Sequence, residues 1–232
     1  MEYNYGDIRR KIIYSKIMKS LHGKESPIYG YSDAGNYVRD LESHVATVAT
    51  LNGMNSDYCS VLALTRFLGL PPYGREGAIA IKELFGKNYN ETTINMERFK
   101  VITGLTSEAK MKEDLIALSK HTEVDTNQLS NEARCVMYVE DALRDYNLLS
   151  PNEREKLGDV VLKNAMLNGI KKDESGKLQR SNLQRKISMT VSERENNEIN
   201  DERVEKAKNI MRSRMISAVL DEQAIIENII GD

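Results

Sequence analysis

The chain has 232 residues and a formal net charge of -2 at neutral pH. Hydrophobic residues make up 40% of it and charged residues 29%, whereas there are only 14 glycines and 4 prolines. This composition favours a helical globular protein with a core of its own, and the charge balance gives no global electrostatic reason for binding nucleic acid or an anionic membrane.

Two amphipathic helices are predicted near the start of the chain. The segment Asp7–Leu21 places isoleucines at helical spacing, with basic residues on the opposite side. A turn-rich connection, Gly23–Gly35, follows it. The second helix is predicted from near Tyr37 to about Leu51, and the dipeptide Asn52-Gly53 ends it.

The central stretch, Ser56–Leu84, predicts a helix, a Gly-Leu-Pro-Pro-Tyr-Gly turn and a second helix from Glu76 to Phe85. Further helices are predicted over the segments Met96–Thr103, Ser107–Lys120, Asn127–Ser150 and Glu155–Leu167, with a helix start at Pro151. The two cysteines, Cys59 and Cys135, lie inside apolar helical patterns, and we expect both to be reduced core thiols.

The last quarter of the chain divides into two parts. Residues 170–192 are basic and have little apolar periodicity, and we expect a mobile connection there. Residues 193–232 begin acidic and carry an apolar stripe, which predicts a long amphipathic C-terminal helix. The expected organisation is therefore a helical domain over residues 1–169, this connection, and the terminal helix.

Three blocks of the chain resemble the HD superfamily, specifically its deoxyguanosine triphosphate triphosphohydrolase branch. That branch carries a motif of the form A-L-x-H-D-x-G-H-P-P-F-G-H-x-G, and here Ala63–Gly77 reads ALTRFLGLPPYGREG. The segment Lys11–Lys24 fits the branch's opening helix, R-I-I-x-S-x-x-F-R-x-L-x-x-K. The segment Ala133–Leu149 fits a later helix that contains D-A-L-R-x-G-L-L. The resemblance covers Asp7–Ser150 and implies an all-α, HD-type helical bundle.

Relatives of this kind hydrolyse a deoxynucleoside triphosphate to nucleoside and tripolyphosphate, with a metal held by two histidines and two aspartates. The resemblance places other residues at those four positions: Tyr37, Arg66, Phe67, and Ser130 or its neighbour Asn131. Two further histidines of the motif fall on Leu70 and Arg75. A guanidinium has no lone pair and is itself positive, so the resemblance implies a vestigial site with no metal and no cofactor.

The sequence leaves three functions open. The first is a catalytically inactive, HD-type protein that binds a protein partner or builds an oligomer, with its arginines paired to carboxylates such as Glu76 or Asp141. The second is a sensor that binds a nucleotide or another phosphate without metal, through Lys24, Arg39, Arg66 and Arg75. The third is residual hydrolysis through His44, with Glu42, Asp40 or Asp57 as replacement ligands.

The terminal segment, Glu193–Asp232, is the expected surface for self-association or for a protein partner, because its isoleucines need to be covered. No apolar run is long enough for a membrane span, and the chain starts without a secretory pattern, so we expect a cytoplasmic protein. Nucleic acid is not an expected partner.

Overall fold

The computed structural model describes residues 3–22, 24, 26, 31–70, 74–86, 90–105, 109–119, 129–194 and 200–213. Helices make up most of these residues, and the strands among them are two short segments. The predicted all-α class is therefore confirmed. The chain forms two compact units: residues 1–70 with 90–196, and residues 71–89 with 197–232.

The elements follow one another in this order: α1 (Tyr5–Tyr14), α2 (Lys16–Lys19), α3 (Ala34–Leu51), α4 (Ser56–Arg66), α5 (Gly74–Phe85), α6 (Glu91–Thr103), α7 (Ala109–Ser119), α8 (Asn131–Leu148), α9 (Pro151–Lys156), α10 (Asp159–Asn168), β1 (Lys171–Lys172), β2 (Leu178–Gln179), α11 (Asn182–Val191), the 3-10 turn Ser192–Arg194, and α12 (residues 201–213). Helices α5 and α12 belong to the second unit and the other elements to the first.

Helix α4 lies at the centre of the first unit. Every residue from Tyr58 to Thr65 is buried, so this helix is covered on all sides. Helices α3 and α8 pack against it, and their inward residues include Leu41, Val45 and Leu143, which are fully buried. Both cysteines are free and buried, as the apolar pattern predicts. This three-helix centre fixes the positions of the candidate site residues.

The first predicted helix is interrupted at Ser15. Its backbone is extended there, and its side chain accepts a hydrogen bond from the Met18 amide, so Ser15 ends α1 and caps α2. Ile12 and Leu21 are nevertheless fully buried on the two sides of the break. The apolar residues on both sides of the break remain buried because both short helices contact the same core.

A second interruption divides the predicted helix Glu155–Leu167. Gly158 has a φ of +86°, the left-handed conformation that glycine adopts at no steric cost, and it separates α9 from α10. Leu157 and Val161, which the periodicity placed inward, are 50% and 71% exposed as a result. The prediction of a helix start at Pro151 is confirmed, and a capping box between Ser150 and Glu153 accompanies it.

Smaller differences concern α6 and α7. Helix α6 begins at Glu91 rather than near Met96, because the Asn90 side chain caps it by accepting from the Thr93 amide. On α7 the predicted apolar residues Met111 and Leu115 are buried, whereas Ile116 is 37% exposed. Periodicity therefore predicted both helices, but it did not predict the Asn90 cap or the exposure of Ile116.

Residues 170–192, where the sequence predicts a mobile connection, contain regular secondary structure. Strands β1 and β2 form an antiparallel hairpin there, and α11 follows it. Leu178 is fully buried, and Ile187 and Val191 are nearly so. The Gln184 side chain donates to the Tyr138 carbonyl of α8 at 2.9 Å. Few apolar residues suffice here because α8 supplies the surface on which they are buried.

Polar side chains tie the hairpin to the helices of the first unit. The Asn52 amide donates to the Ile170 carbonyl at 3.0 Å, and its oxygen accepts from the Lys172 amide at 3.1 Å. The Asn131 side chain donates to the Gly176 carbonyl and accepts from the Leu178 amide, both at 2.9 Å. These bonds satisfy backbone groups that a two-stranded ribbon leaves open.

The predicted terminal helix is described only in part. Glu193 lies in the 3-10 turn rather than in a helix, and α12 covers residues 201–213. Within the second unit, Val204 and Ala207 of α12 are buried with Ala80 of α5. The remainder of the predicted stripe, residues 214–232, lies outside the described residues.

Candidate functional site

Three residues expected at the vestigial site meet where α3, α4 and α8 converge. Tyr37 lies in the first turn of α3, Arg66 is the last residue of α4, and Phe67 caps that helix. The Arg66 guanidinium donates from Nη1 to Glu140 Oε2 of α8. We call Tyr37, Arg66, Phe67 and Glu140 the central cluster. The structure adds Glu140, which the sequence had not singled out.

Aromatic rings fill the space beside this ion pair. The Tyr37 and Phe67 rings meet edge to face, with centroids 5.5 Å apart and planes at 86°. The Arg66 guanidinium lies 5.5 Å from the Phe67 centroid, within the range of a cation-π contact. The Tyr31 ring also packs edge to face against the Tyr37 ring, with the two centroids 5.1 Å apart. The cluster is therefore a packed assembly of rings around one ion pair.

The Tyr37 hydroxyl is the polar group that this packing leaves unsatisfied. Its side chain is fully buried, and the hydroxyl has no hydrogen-bond partner among the described residues. Burial raises the pKa of Tyr37 well above its ordinary value, although the Arg66 charge opposes that shift. Tyr37 is thus a neutral phenol, which is a poor ligand for a divalent cation.

The Arg66–Glu140 pair is mostly withdrawn from water. The side chain of Arg66 is 15% exposed and that of Glu140 is 17% exposed. Removing one partner from such a pair leaves the other charge in a poorly hydrated place, which costs several kcal/mol. Each residue of the ion pair therefore stabilises the charge of the other, and the pair links the end of α4 to the middle of α8.

Ser130 is not part of the central cluster. It caps the start of α8, ten residues before Glu140, and that distance along a helix is about 15 Å. Its hydroxyl donates to Asp114 Oδ1 at 2.6 Å and accepts from the Ala133 amide at 3.0 Å. Its neighbour Asn131 binds the hairpin, as described above. Ser130, which the resemblance groups with Arg66 and Phe67, therefore lies at the opposite end of the N-terminal half of α8 from Glu140.

Leu70 and Arg75 lie in different units. Leu70 is 5% exposed and belongs to the core of the first unit. Arg75 lies in α5 of the second unit, and its side chain is outside the described part of the structure. Glu76, suggested as a partner for Arg66 or Arg75, has its Oε2 atom 3.9 Å from Arg203 Nη2 within the second unit, which is a pair that the sequence did not suggest.

Lys24 and Arg39 are two further cations that the sequence proposed for phosphate binding. Lys24 donates from Nζ to the Leu70 carbonyl at 2.6 Å. Arg39 is exposed on α3, two residues after the buried Tyr37. Two residues correspond to about 200° around a helix, so Arg39 points away from the central cluster. The structure thus shows a backbone partner for Lys24 and an outward-pointing Arg39, whereas the side chain of Arg75 lies outside the described residues.

A second ionic network lies on the next turn of α8, where the sequence suggested Asp141 as a partner for Arg66. Asp141, which is 2% exposed, is instead held by Arg144 at 3.2 Å and by Arg180, which precedes α11. The Arg180 guanidinium also lies 5.1 Å from the Tyr138 ring centroid. The network thus joins α8 to the segment between β2 and α11.

Asp145 extends this network by one helical turn. Its Oδ1 atom lies 3.3 Å from Arg144 Nη2, and its Oδ2 atom accepts from the Ser188 hydroxyl of α11. Burial raises the pKa of Asp145, and the Ser188 and Arg144 hydrogen bonds oppose that rise. Arg66, Arg144 and Arg180 are thus matched by three carboxylates, those of Glu140, Asp141 and Asp145. The region carries no net charge for an incoming anion.

The histidine considered for residual hydrolysis belongs to a different polar group. His44 Nε2 lies 3.1 Å from Asp40 Oδ1, one turn earlier on α3. Asp40 Oδ2 accepts from Lys163 Nζ at 2.9 Å and from the Tyr31 hydroxyl. Burial alone raises the pKa of Asp40, but hydrogen bonds from His44, Tyr31 and Lys163 outweigh it and hold that pKa well below its ordinary value.

The other acids suggested as replacement ligands lie elsewhere. Glu42 accepts from Arg9 Nε of α1 at 2.7 Å, on a face of α3 about 200° from His44. The charge of Asp57 also acts on Arg9 and raises the pKa of that guanidinium, after the larger effects of the Glu42 hydrogen bond and of burial. In the described ranges, no three His, Cys, Asp or Glu side chains are grouped as metal ligands would be.

Comparison with known proteins adds no family. No protein-family model matches the chain, and no curated protein matches it. Among the helices that the structure describes, none has the length and apolar character needed to cross a membrane.

Proposed function

We propose that the chain is a catalytically inactive, HD-type helical protein that acts through binding, as a partner of another protein or as part of an assembly. The observation that carries the proposal is the Arg66–Glu140 ion pair, packed against the rings of Phe67 and Tyr37. Three of the four positions that hold the metal ligands in the resembling family thus contribute a cation and two rings to the interior.

The chemistry of these side chains supports the proposal. Metal-dependent hydrolysis needs lone-pair donors that hold a cation, and that cation lowers the pKa of a water molecule. A guanidinium has no such lone pair, and a phenyl ring has no donor atom for a hard or borderline cation. Glu140 is a carboxylate, but Arg66 already occupies it. These residues stabilise the junction of α4 with α8 instead.

A phosphate sensor is the weaker proposal. It requires Arg66 to leave Glu140, and the neighbouring Arg144 and Arg180 are also matched by carboxylates. An anion entering this region would have to break a bond for each cation that it gained, and would leave a carboxylate unpaired. Arg39 would not contribute to such a phosphate site, because it points to the side of α3 opposite Tyr37.

Two measurements on the full-length protein test the proposal. Deoxynucleoside triphosphates are incubated with the protein in the presence of Mg²⁺ or Mn²⁺, and tripolyphosphate release is measured. We expect no release above a heat-treated control. Thermal unfolding is then recorded with millimolar nucleotide, with and without a chelator. We expect an unchanged melting temperature; chelator-independent stabilisation would favour the sensor instead.

The binding part of the proposal needs its own test. The mass of the purified protein in solution is measured over a range of concentrations, and proteins that co-purify with it are identified after cross-linking. We expect either a defined oligomer or a reproducible partner. A strictly monomeric protein without a partner, or one that releases tripolyphosphate, would contradict the proposal.

A further inference from the structure

The hairpin and α11 carry cations that have no counter-charge within the described part of the chain. Lys171, Lys177, Arg185 and Lys186 are all exposed, and no carboxylate there pairs with any of them. Arg180 of the same segment differs, because Asp141 binds it. Unpaired cations on an ordered surface are free to meet an anionic partner at little desolvation cost.

The strand register places two of these lysines on one side of the hairpin. Lys171 is opposite Gln179, so their side chains share a face, and Lys177 lies two residues before Gln179 on that same face. Lys172 is opposite the buried Leu178, on the other side of the ribbon. The hairpin therefore presents Lys171 and Lys177 together and Lys172 apart.

Helix α11 continues this surface. Arg185 donates from Nη2 to Gln179 Oε1 at 3.3 Å, which places its guanidinium beside the hairpin. Lys186 is the next residue of the helix and is also exposed. We call Lys171, Lys177, Arg185 and Lys186 the basic face. Strand β1, the turn before β2 and helix α11 contribute these four residues, so regular structure supports the basic face.

Two acids, Asp173 and Glu174, lie at the hairpin turn between these cations, and the oxygens of Asp173 already accept hydrogen bonds. Asp173 Oδ1 accepts from the Ser175 amide at 2.9 Å, the Ser175 hydroxyl at 2.6 Å and the Lys177 amide at 3.0 Å. Its Oδ2 accepts from Gln179 Nε2 at 2.8 Å. Asp173 thus shapes the turn without pairing with a lysine, and the basic face keeps a positive excess.

We propose that the basic face is a docking surface for an acidic, extended peptide segment of a partner protein. An extended chain places every second side chain on one face, about 7 Å apart, which is close to the separation of about 7 to 8 Å between diagonal cross-strand neighbours such as Lys171 and Lys177. Acidic residues at alternate positions would therefore meet Lys177 and its neighbours in register. Met189, 72% exposed and one turn after Arg185, adds an apolar contact at the edge of this surface.

The same observations disfavour nucleic acid. The segment from residue 171 to residue 190 contains no aromatic residue on which a base could stack. Helix α11 is only about 15 Å long, which limits the number of phosphate groups that it could contact.

The test uses the full-length protein and a fluorescently labelled peptide of alternating glutamate and threonine. Its binding is measured by anisotropy at low and at physiological salt. The variant K171S/K177S/R185S removes three cations of the basic face. The matched control, K16S/K19S/K172S, removes the same charge from exposed positions on α2 and on the other side of the hairpin. Thermal unfolding of both variants establishes that they remain folded.

We expect the first variant to bind the peptide at least about tenfold more weakly than the unaltered protein, and the control to stay within about twofold. Equal weakening in both variants would overturn the proposal, because binding would then follow net charge alone. So would an absence of peptide binding. Tighter binding of a single-stranded oligonucleotide of equal charge, or of phosphatidylserine vesicles, would assign the face to another class of partner and overturn it too.

This inference adds a surface and a partner class to the proposed binding function, and it rests on that function for its biological meaning. Different experiments can contradict the proposed function and this inference. Tripolyphosphate release would end the proposal of an inactive protein and leave the peptide result standing. Loss of the peptide result would leave the central cluster and its interpretation unchanged.

Discussion

The central cluster and the basic face use the same kind of side chain in opposite ways. Arg66 is mostly buried, and Glu140 neutralises it, so its charge serves the packing of α4 on α8. Arg185 is exposed, and its partner within the described part of the chain is the neutral Gln179. Desolvation makes the difference, because a buried charge needs an opposite charge beside it and an exposed one does not.

This difference teaches where to look for function in a chain of this kind. In the conspicuous motif at Ala63–Gly77, Glu140 neutralises the charge of Arg66. The less conspicuous segment from residue 170 to residue 192 forms a hairpin and a helix, and several of its charges have no ion-pair partner among the described residues. Unpaired, fixed charge is available to a partner, whereas paired and buried charge is available mainly to the fold.

The largest effect is expected for Arg66→Ala, which leaves Glu140 without its cation. We expect a loss of about 3 kcal/mol in the free energy of unfolding, measured by urea denaturation. Arg10→Ala, which removes an arginine from an exposed pair with Asp7, is the matched control and should cost no more than about 0.5 kcal/mol.

The double variant Arg66→Met/Glu140→Leu sharpens this result. Two apolar side chains of similar size can replace a buried ion pair with little loss of stability, so we expect the double variant to recover most of the loss caused by Arg66→Ala. If both single and double variants are as stable as the unaltered protein, the central cluster does not hold α4 to α8, and the contrast with the basic face disappears.

The next largest effect concerns the anchor of the hairpin. Leu178 is fully buried on strand β2, and Leu178→Ala should lower the free energy of unfolding by about 2 to 3 kcal/mol. Met189→Ala, at a position on α11 that is 72% exposed, is the control and should have little effect. A negligible cost for Leu178→Ala would mean that the basic face has no fixed support.

Sequence patterns predicted much of the fold and part of the site. Helical periodicity located α3, α4 and α8, because each presents residues such as Leu41 and Leu143 at regular spacing to one core. The resemblance groups Tyr37, Arg66 and Phe67 at one site, and the structure places these three side chains next to one another. The helix predictions are confirmed because they rest on local spacing.

Other features depend on contacts between distant residues and could not be predicted in this way. Glu140 and Asp141 are adjacent in sequence, and only the packing of α8 decides that Arg66 binds the first and Arg180 the second. The hairpin was missed because its order comes from Asn52 and Asn131, which lie more than forty residues away in sequence. Leu178 alone carries too little apolar signal to indicate a strand.

A smaller, pH-dependent effect is expected at the half-buried Asp40. The exposure of its side chain lies between that of the central cluster and that of the basic face. Hydrogen bonds from His44, Tyr31 and Lys163 hold the pKa of Asp40 below its ordinary value. A lowered pKa in the folded protein stabilises it above the unfolded pKa, near 3.9, and this stabilisation is lost as the pH falls further.

Asp40→Asn should therefore cost about 1 kcal/mol at neutral pH, after allowance for its partial exposure, and progressively less below about pH 4. Urea denaturation at several pH values measures the difference. Lys163→Met, which removes one of the donors, should reduce the same pH-dependent contribution in part. A difference between Asp40→Asn and the unaltered protein that persists undiminished in acid would contradict this account of Asp40.

The smallest effect on stability is expected at the basic face, although its effect on binding is expected to be large. Removing Lys171, Lys177 and Arg185 breaks no ion pair among the described residues, so the free energy of unfolding should change by less than about 0.5 kcal/mol. Any change should be a slight stabilisation at low salt, because like charges no longer repel one another, and salt should abolish it. Urea denaturation at low and at high salt measures both. A substantial loss of stability would show that these cations support the fold as Arg66 does, and the distinction between the two regions would then be lost.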